Sequence, residues 1–184
     1  CDVHLAVFKE SIEDSGAKVP EWHPVHILME EHNLMLGFAD KLRKVTKEIK
    51  SAKGFDSSGD KIEELNHLVH HFKESESHYL REENVLFPHL EKHGITQPPA
   101  IMWMEHDSIR AIKKEIYKLV DTRESAAFND FTKQLEQKGI ELAETLSNHF
   151  YKENNVLFPM GLNAIGEDEW KDMRKEFDEL GYCC

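Results

Sequence analysis

Two eleven-residue segments of this chain nearly repeat each other, and what they carry narrows the folds open to it. Residues 78–88 read His-Tyr-Leu-Arg-Glu-Glu-Asn-Val-Leu-Phe-Pro, and residues 149–159 read His-Phe-Tyr-Lys-Glu-Asn-Asn-Val-Leu-Phe-Pro. Seven of the eleven positions are identical, including the His and the Glu four residues after it. On a helix of 3.6 residues per turn, a four-residue step stacks both side chains on one face. His78 with Glu82, and His149 with Glu153, are each half of a metal site. Two such halves on two helices point to a dinuclear centre.

The surrounding periodicity is helical nearly throughout, and no segment shows a convincing two-residue alternation. A short helix is expected over about residues 3–14. The first long helix starts near Pro24, a residue favoured at the first helical position. It carries Leu28, Met35, Phe38, Leu42, Val45 and Ile49 as its apolar stripe and stops before residues 54–59. The second is expected over about residues 60–92, ending at His93-Gly94 with Pro98-Pro99 beyond as a stop signal. A third covers about residues 100–122, a fourth about 125–160, and a final short one about 167–180 with Trp170, Met173 and Phe177 as its apolar edge. The expected fold is all-α: an up-down-up-down four-helix bundle with short extra helices at both ends. Its 184 residues fit one domain, with the bundle core at about residues 23–162.

The repeat extends beyond the two segments. Glu31-His32 precedes His78 by 46 residues, His to His, and Glu105-His106 precedes His149 by 43. The chain reads as two helical hairpins, each with one lone His and one His-x-x-x-Glu. His32 sits in an apolar slot between Leu28 and Met35, and His106 between Met102 and Ile109. A single core imidazole is usually a hydrogen-bonded structural group. Four imidazoles and two carboxylates in matched positions are not, because buried Glu is rare unless paired or bound to metal. The candidate ligands are therefore His32, His78, Glu82, His106, His149 and Glu153.

Imidazole with carboxylate favours iron, manganese or zinc over calcium, which prefers oxygen ligands alone. Six ligands shared by two metals leave open coordination positions. Each Glu offers two oxygens, so Glu82 and Glu153 can both bridge metals roughly 3.5–4 Å apart. Among the other eight His, His26 forms a His-x-x-x-Glu with Glu30, and His71 lies seven residues before His78 on nearly the same face. Their counterparts in the second repeat are Ala100 and Leu142, so symmetry lends neither any support as an extra ligand. His23, His67, His70, His89 and His93 read as surface groups or as partners of the ligands. Leu86, Phe87, Leu157 and Phe158 should close the bundle beyond the site, with Pro88 and Pro159 bending or ending their helices. The run Glu167-Asp168-Glu169 is a favourable helix start.

The formal charge of −12 argues against nucleic acid or an anionic membrane as partner. No run of eighteen apolar residues and no secretion signal is visible. The three Cys (Cys1, Cys183 and Cys184) stand at the ends and cannot build a disulfide framework, so a cytoplasmic setting is expected, with two exposed tail thiols.

Ligand order discriminates between families. Ferritin-like di-iron proteins use Glu-x-x-His, carboxylate first with a three-residue step. Here the order His32, His78-x-x-x-Glu82, His106, His149-x-x-x-Glu153 resembles the hemerythrin-like HHE cation-binding domain over about residues 23–162, including the Leu-Phe-Pro after each Glu. Trp22-His23-Pro24-Val25-His26, Glu91-Lys92-His93-Gly94-Ile95 and Met102-Trp103-Met104-Glu105-His106-Asp107 are similar to an anaerobe-associated bacterial subgroup often joined to PAS-type sensory domains. Gly181-Tyr182-Cys183-Cys184 looks like the junction. The resemblance implies two non-haem iron ions, bridged by Glu82, Glu153 and an oxo or hydroxo group. It further implies binding or sensing of a small diatomic (O2 or NO) or peroxide, signalled to an attached PAS-type regulatory domain. One departure bears on this. Oxygen-carrying hemerythrins have a His-x-x-x-His on the third helix, whereas Met102 and Arg110 flank His106 at that spacing. Reversible oxygen storage is not expected. The alternatives are a di-iron enzyme (a peroxidase, a nitric oxide reductase or an iron-centre repair protein) and a metal-storage bundle.

Overall fold

The computed structural model describes residues 19–182. The helix expected at about residues 3–14 and all three Cys lie outside them. Five helical elements follow in order, with no strand among the described residues. Helix α1 is Pro24–Ser51. Helix α2 runs through Gly59–Glu74, Glu76–Arg81, a π turn at Glu82–Leu86, and Phe87–Lys92. Helix α3 is Gln97–Asp121, and α4 joins Phe128–Lys152, a π turn at Glu153–Leu157, and Phe158–Ala164. Helix α5 is Glu167–Leu180. Helices α1 to α4 form the bundle: α1 packs on α2 and α4, and α3 on α2 and α4.

The boundaries follow local chemistry. Pro24 opens α1, and the His23 side chain caps it by accepting the Val25 N–H at Nδ1, 3.2 Å away. Helix α2 ends at Lys92 with His93 as its cap, and Gly94 just beyond has a φ of 82°, the left-handed conformation that glycine adopts without strain. Its N–H donates to the Glu91 carbonyl, and that of Ile95 reaches back to Leu90. Helix α3 begins three residues earlier than the sequence predicts. Pro98 and Pro99 not only stop what precedes them but stand in the first turn of α3, where a missing N–H costs nothing.

The two prolines of the repeat do not end their helices. A proline ring clashes with the carbonyl four residues back, which is that of Asn84 for Pro88 and Asn155 for Pro159. The backbone widens into a π turn just before each one, closed by Phe87 N–H to the Glu82 carbonyl and Phe158 N–H to the Glu153 carbonyl. The Asn84 amide donates to the Leu80 carbonyl and the Asn155 amide to the Tyr151 carbonyl, each at 2.8 Å. The repeated Glu is thus the first residue of each π turn, a feature often found at functional sites.

Two apolar clusters divide the bundle. The larger includes Met35, Leu42, Ile109, Ile116, Leu142 and Phe150. The smaller closes one end with Leu28, Phe87, Met102, Phe158 and the edge of α5 formed by Trp170, Met173 and Phe177. Burying each such side chain contributes about 1.5–3 kcal/mol. Leu28 belongs to the second cluster and Met35 to the first, with His32 between them on α1; Met102, His106 and Ile109 repeat the arrangement on α3. The polar layer therefore lies between two dry ones.

Candidate metal centre

All six predicted side chains meet in that layer, one His from each bundle helix and one Glu each from α2 and α4. Every one is buried. They form two groups that can hold a cation: His32, His78, Glu82 and Glu153, and Glu82, His106, His149 and Glu153. In each, one donor atom per residue lies within 4.8 Å of the others, and both carboxylates belong to both groups. Nε2 of His32 is 3.2 Å from Glu153, that of His78 is 3.4 Å from Glu82, and that of His106 is 3.3 Å from Glu82. His149 Nε2 approaches Glu153 at 3.2 Å and His106 Nε2 at 3.1 Å.

The opposite ring nitrogens all face outward to a fixed partner. His78 Nδ1 meets Glu31 at 2.8 Å, and His149 Nδ1 meets Glu105 at 2.9 Å. His106 Nδ1 meets Glu83 at 2.8 Å, and His32 Nδ1 meets the Asn154 side-chain oxygen at 3.0 Å. A carboxylate or amide oxygen can only accept, so each Nδ1 carries the proton and donates. Each Nε2 faces the centre, where its lone pair can go to a proton or to a cation. The oxygens of both Glu82 and Glu153, and Nε2 of His32 and His78, are buried with no hydrogen-bond partner in the protein. Buried polar atoms are ordinarily paired, and this concentration of lone pairs fits one kind of guest, a cation.

The electrostatics agree. Burial lowers His106, but Glu153, Glu82 and Glu83 outweigh it and push the imidazole up to about 11. Burial likewise lowers His149, yet the Glu153 charge and Glu105 raise it to about 9. Burial raises Glu31, while hydrogen bonds from His78 and the neighbouring Arg81 hold it at about 2. His32, whose outer partner is a neutral amide, is lowered, chiefly by burial. The layer is a field that holds positive charge, whether proton or metal.

Neither extra His enters it. His71 stacks on Phe38 at 4.6 Å with Nδ1 3.4 Å from Glu74, and His26 belongs to neither cation-binding group. His23, expected at the surface or beside a ligand, is a buried cap. His89 and His93 both bind Glu169 of α5, at 2.6 and 2.7 Å, so the acidic helix start also anchors α5 to α2. The sequence missed the outer partners, although Glu31 and Glu105 each precede a His of the layer, and Glu83 and Asn154 each follow a Glu of the layer. It also missed Tyr79. This fully buried phenol is 4.7 Å, ring to ring, from His106, and burial and the charges of Glu82 and Glu153 raise its pKa well above normal.

Residues 23–161 match the model of the hemerythrin HHE cation-binding domain. The chain belongs to this family. It is also similar to a probable iron-sulfur cluster repair protein of Haemophilus influenzae, at 28% identity over 142 residues. The match takes in 75% of this chain and 63% of that relative, so the chain spans less than two thirds of the relative's length. No helix among the described residues of this hemerythrin-like chain is long and apolar enough to cross a membrane.

Proposed function

We propose that the polar layer is a dinuclear non-haem iron centre that binds a small diatomic (O2 or NO) or peroxide. One observation carries the reading. Two four-donor groups share Glu82 and Glu153, and all four Nε2 atoms are presented by Nδ1 hydrogen bonds to Glu31, Glu83, Glu105 and Asn154. His32 and His78 would hold one ion and His106 and His149 the other, with both carboxylates between them. An iron pair there supplies open coordination positions and one-electron redox steps. The chain's part is to fix each imidazole tautomer, to balance cationic charge with two carboxylates, and to keep water out with Leu86, Phe87, Leu157 and Phe158. A sensor in a larger protein is the leading use. The likeness to a probable iron-sulfur cluster repair protein favours a second reading, repair of damaged iron centres.

Spectra of the iron-loaded protein, taken anaerobically and then with O2 or NO, test the proposal. It expects a stoichiometric change with each ligand that His149→Ala diminishes. Spectra indifferent to both gases contradict it. Turnover with a damaged iron-sulfur protein distinguishes repair from sensing, since a sensor returns to its starting state without restoring the substrate cluster.

A further inference from the structure

The centre is symmetric in its ligands but not in what stands behind them. Arg81 is the largest fully buried side chain of the described residues. Its Nη2 donates to Glu31 Oε1 at 2.5 Å, and Glu31 Oε2 accepts from Nδ1 of His78 at 2.8 Å. The guanidinium lies 5.4 Å from the Phe177 ring of α5 and 4.9 Å from the Tyr182 ring just past it. The second repeat has Lys152 at the Arg81 position, bonded to Glu105, which holds His149. Lys152 is 42% exposed. One arm of the centre is thus sealed under α5, and the other opens to water.

A sealed arginine is expensive. Its Nη1 has no hydrogen-bond partner, and an apolar residue in place of a buried ion pair is often neutral or stabilising. The cost is intelligible if the charge has work to do on Glu31. We infer that Arg81 is a positioning residue through which α5 and Tyr182 set the metal affinity of the His32–His78 half of the centre, an arm that the His106–His149 half lacks because Lys152 stands there in place of Arg81. This deepens the dinuclear-centre reading and rests on it. With Phe177 and Tyr182 in place, water is kept from Arg81, and its charge fixes the Glu31 carboxylate. Glu31 in turn holds the His78 proton on Nδ1 and aims Nε2 inward. If α5 lifts, Arg81 is hydrated and that hold weakens. Linkage makes the effect reciprocal: metal binding must tighten α5 by the same factor by which docked α5 tightens the metal. The C-terminal end of the domain is then where the state of the centre is read out.

Hydrogen exchange of residues 167–182, in metal-free and iron(II)-loaded protein under anaerobic conditions, tests this with iron counted in the same samples. In the unmodified protein and in Lys152→Met, loading should slow exchange across α5 about 5-fold or more, the low end of ordinary coupling. Arg81→Met should remove the difference. Tyr182→Ala, a change at a 43%-exposed residue that carries less risk to folding, should reduce it. In both of these variants, chelator should strip one of the two irons about 10-fold faster, the scale set by loss of an outer partner. Two irons bound with α5 exchange unchanged by loading overturns the coupling and leaves the centre standing, as does an equal effect of Lys152→Met and Arg81→Met. Failure to bind iron at all overturns the centre, and the coupling with it.

Discussion

The four imidazoles of the layer share a geometry but not an environment. His106 leans on Glu83, itself held by Arg110 at 2.8 and 3.0 Å, whereas His32 leans on the neutral amide of Asn154. Glu83 therefore lends negative charge to its side of the centre, and Asn154 only a tautomer. Changing Glu83→Gln should weaken iron retention about 10–100-fold, the usual effect of removing a carboxylate behind a metal-bound His, while leaving the fold intact. Competition with a chelator measures this, and retention equal to the parent would contradict the assigned role. The six side chains of the layer were legible in the sequence because the helical period places His78 above Glu82 and His149 above Glu153, and the matched pairs Glu31-His32 and Glu105-His106 add the other two. Their partners were not, because each Nδ1 contact crosses from one helix to the next. Glu83 follows Glu82 in sequence but serves His106 on another helix, and only the register of α2 against α3 reveals it.

At the level of elements, the order of the five described helices followed from periodicity, and the ends of α1 and α2 from Pro24 and His93-Gly94. The π turns did not follow, because Pro88 and Pro159 carry a stop signal that tertiary packing overrides by widening the backbone. Gly94 gives a direct check on the α2 terminus. Gly94→Ala must hold a side chain at φ 82° and should cost about 1 kcal/mol, read from the denaturation midpoint. An unchanged midpoint would exclude the left-handed cap. The α1 cap predicts a pH dependence. Burial, reinforced by the charge of His26, pushes His23 down from its ordinary 6.5 to about 4, and the cap requires an unprotonated Nδ1. Between those values the unfolded chain binds more protons than the folded one. The contribution of His23 is thus full above about pH 6.5 and is lost as the pH falls through about 4. The stability advantage of the parent over His23→Asn should shrink across this window, and a pH-independent gap would refute it.

For the whole molecule, the architecture makes a polar layer tolerable by enclosing it between two apolar clusters, with α5 as the lid of the smaller one. The all-α bundle was legible because amphipathic helices with short connections have few other ways to bury their stripes. The role of α5 was not, since Arg81 and Lys152 look interchangeable until one is seen beneath Phe177 and the other in water. The proposed function depends on Glu82 and Glu153 being shared by two ions rather than serving one. Mössbauer spectroscopy of protein loaded with iron-57 and then oxidised, with iron and protein quantified together, addresses that point most directly. The shared carboxylates predict two irons per chain in a spin-coupled, diamagnetic pair. One iron per chain, or two magnetically independent irons, would contradict it.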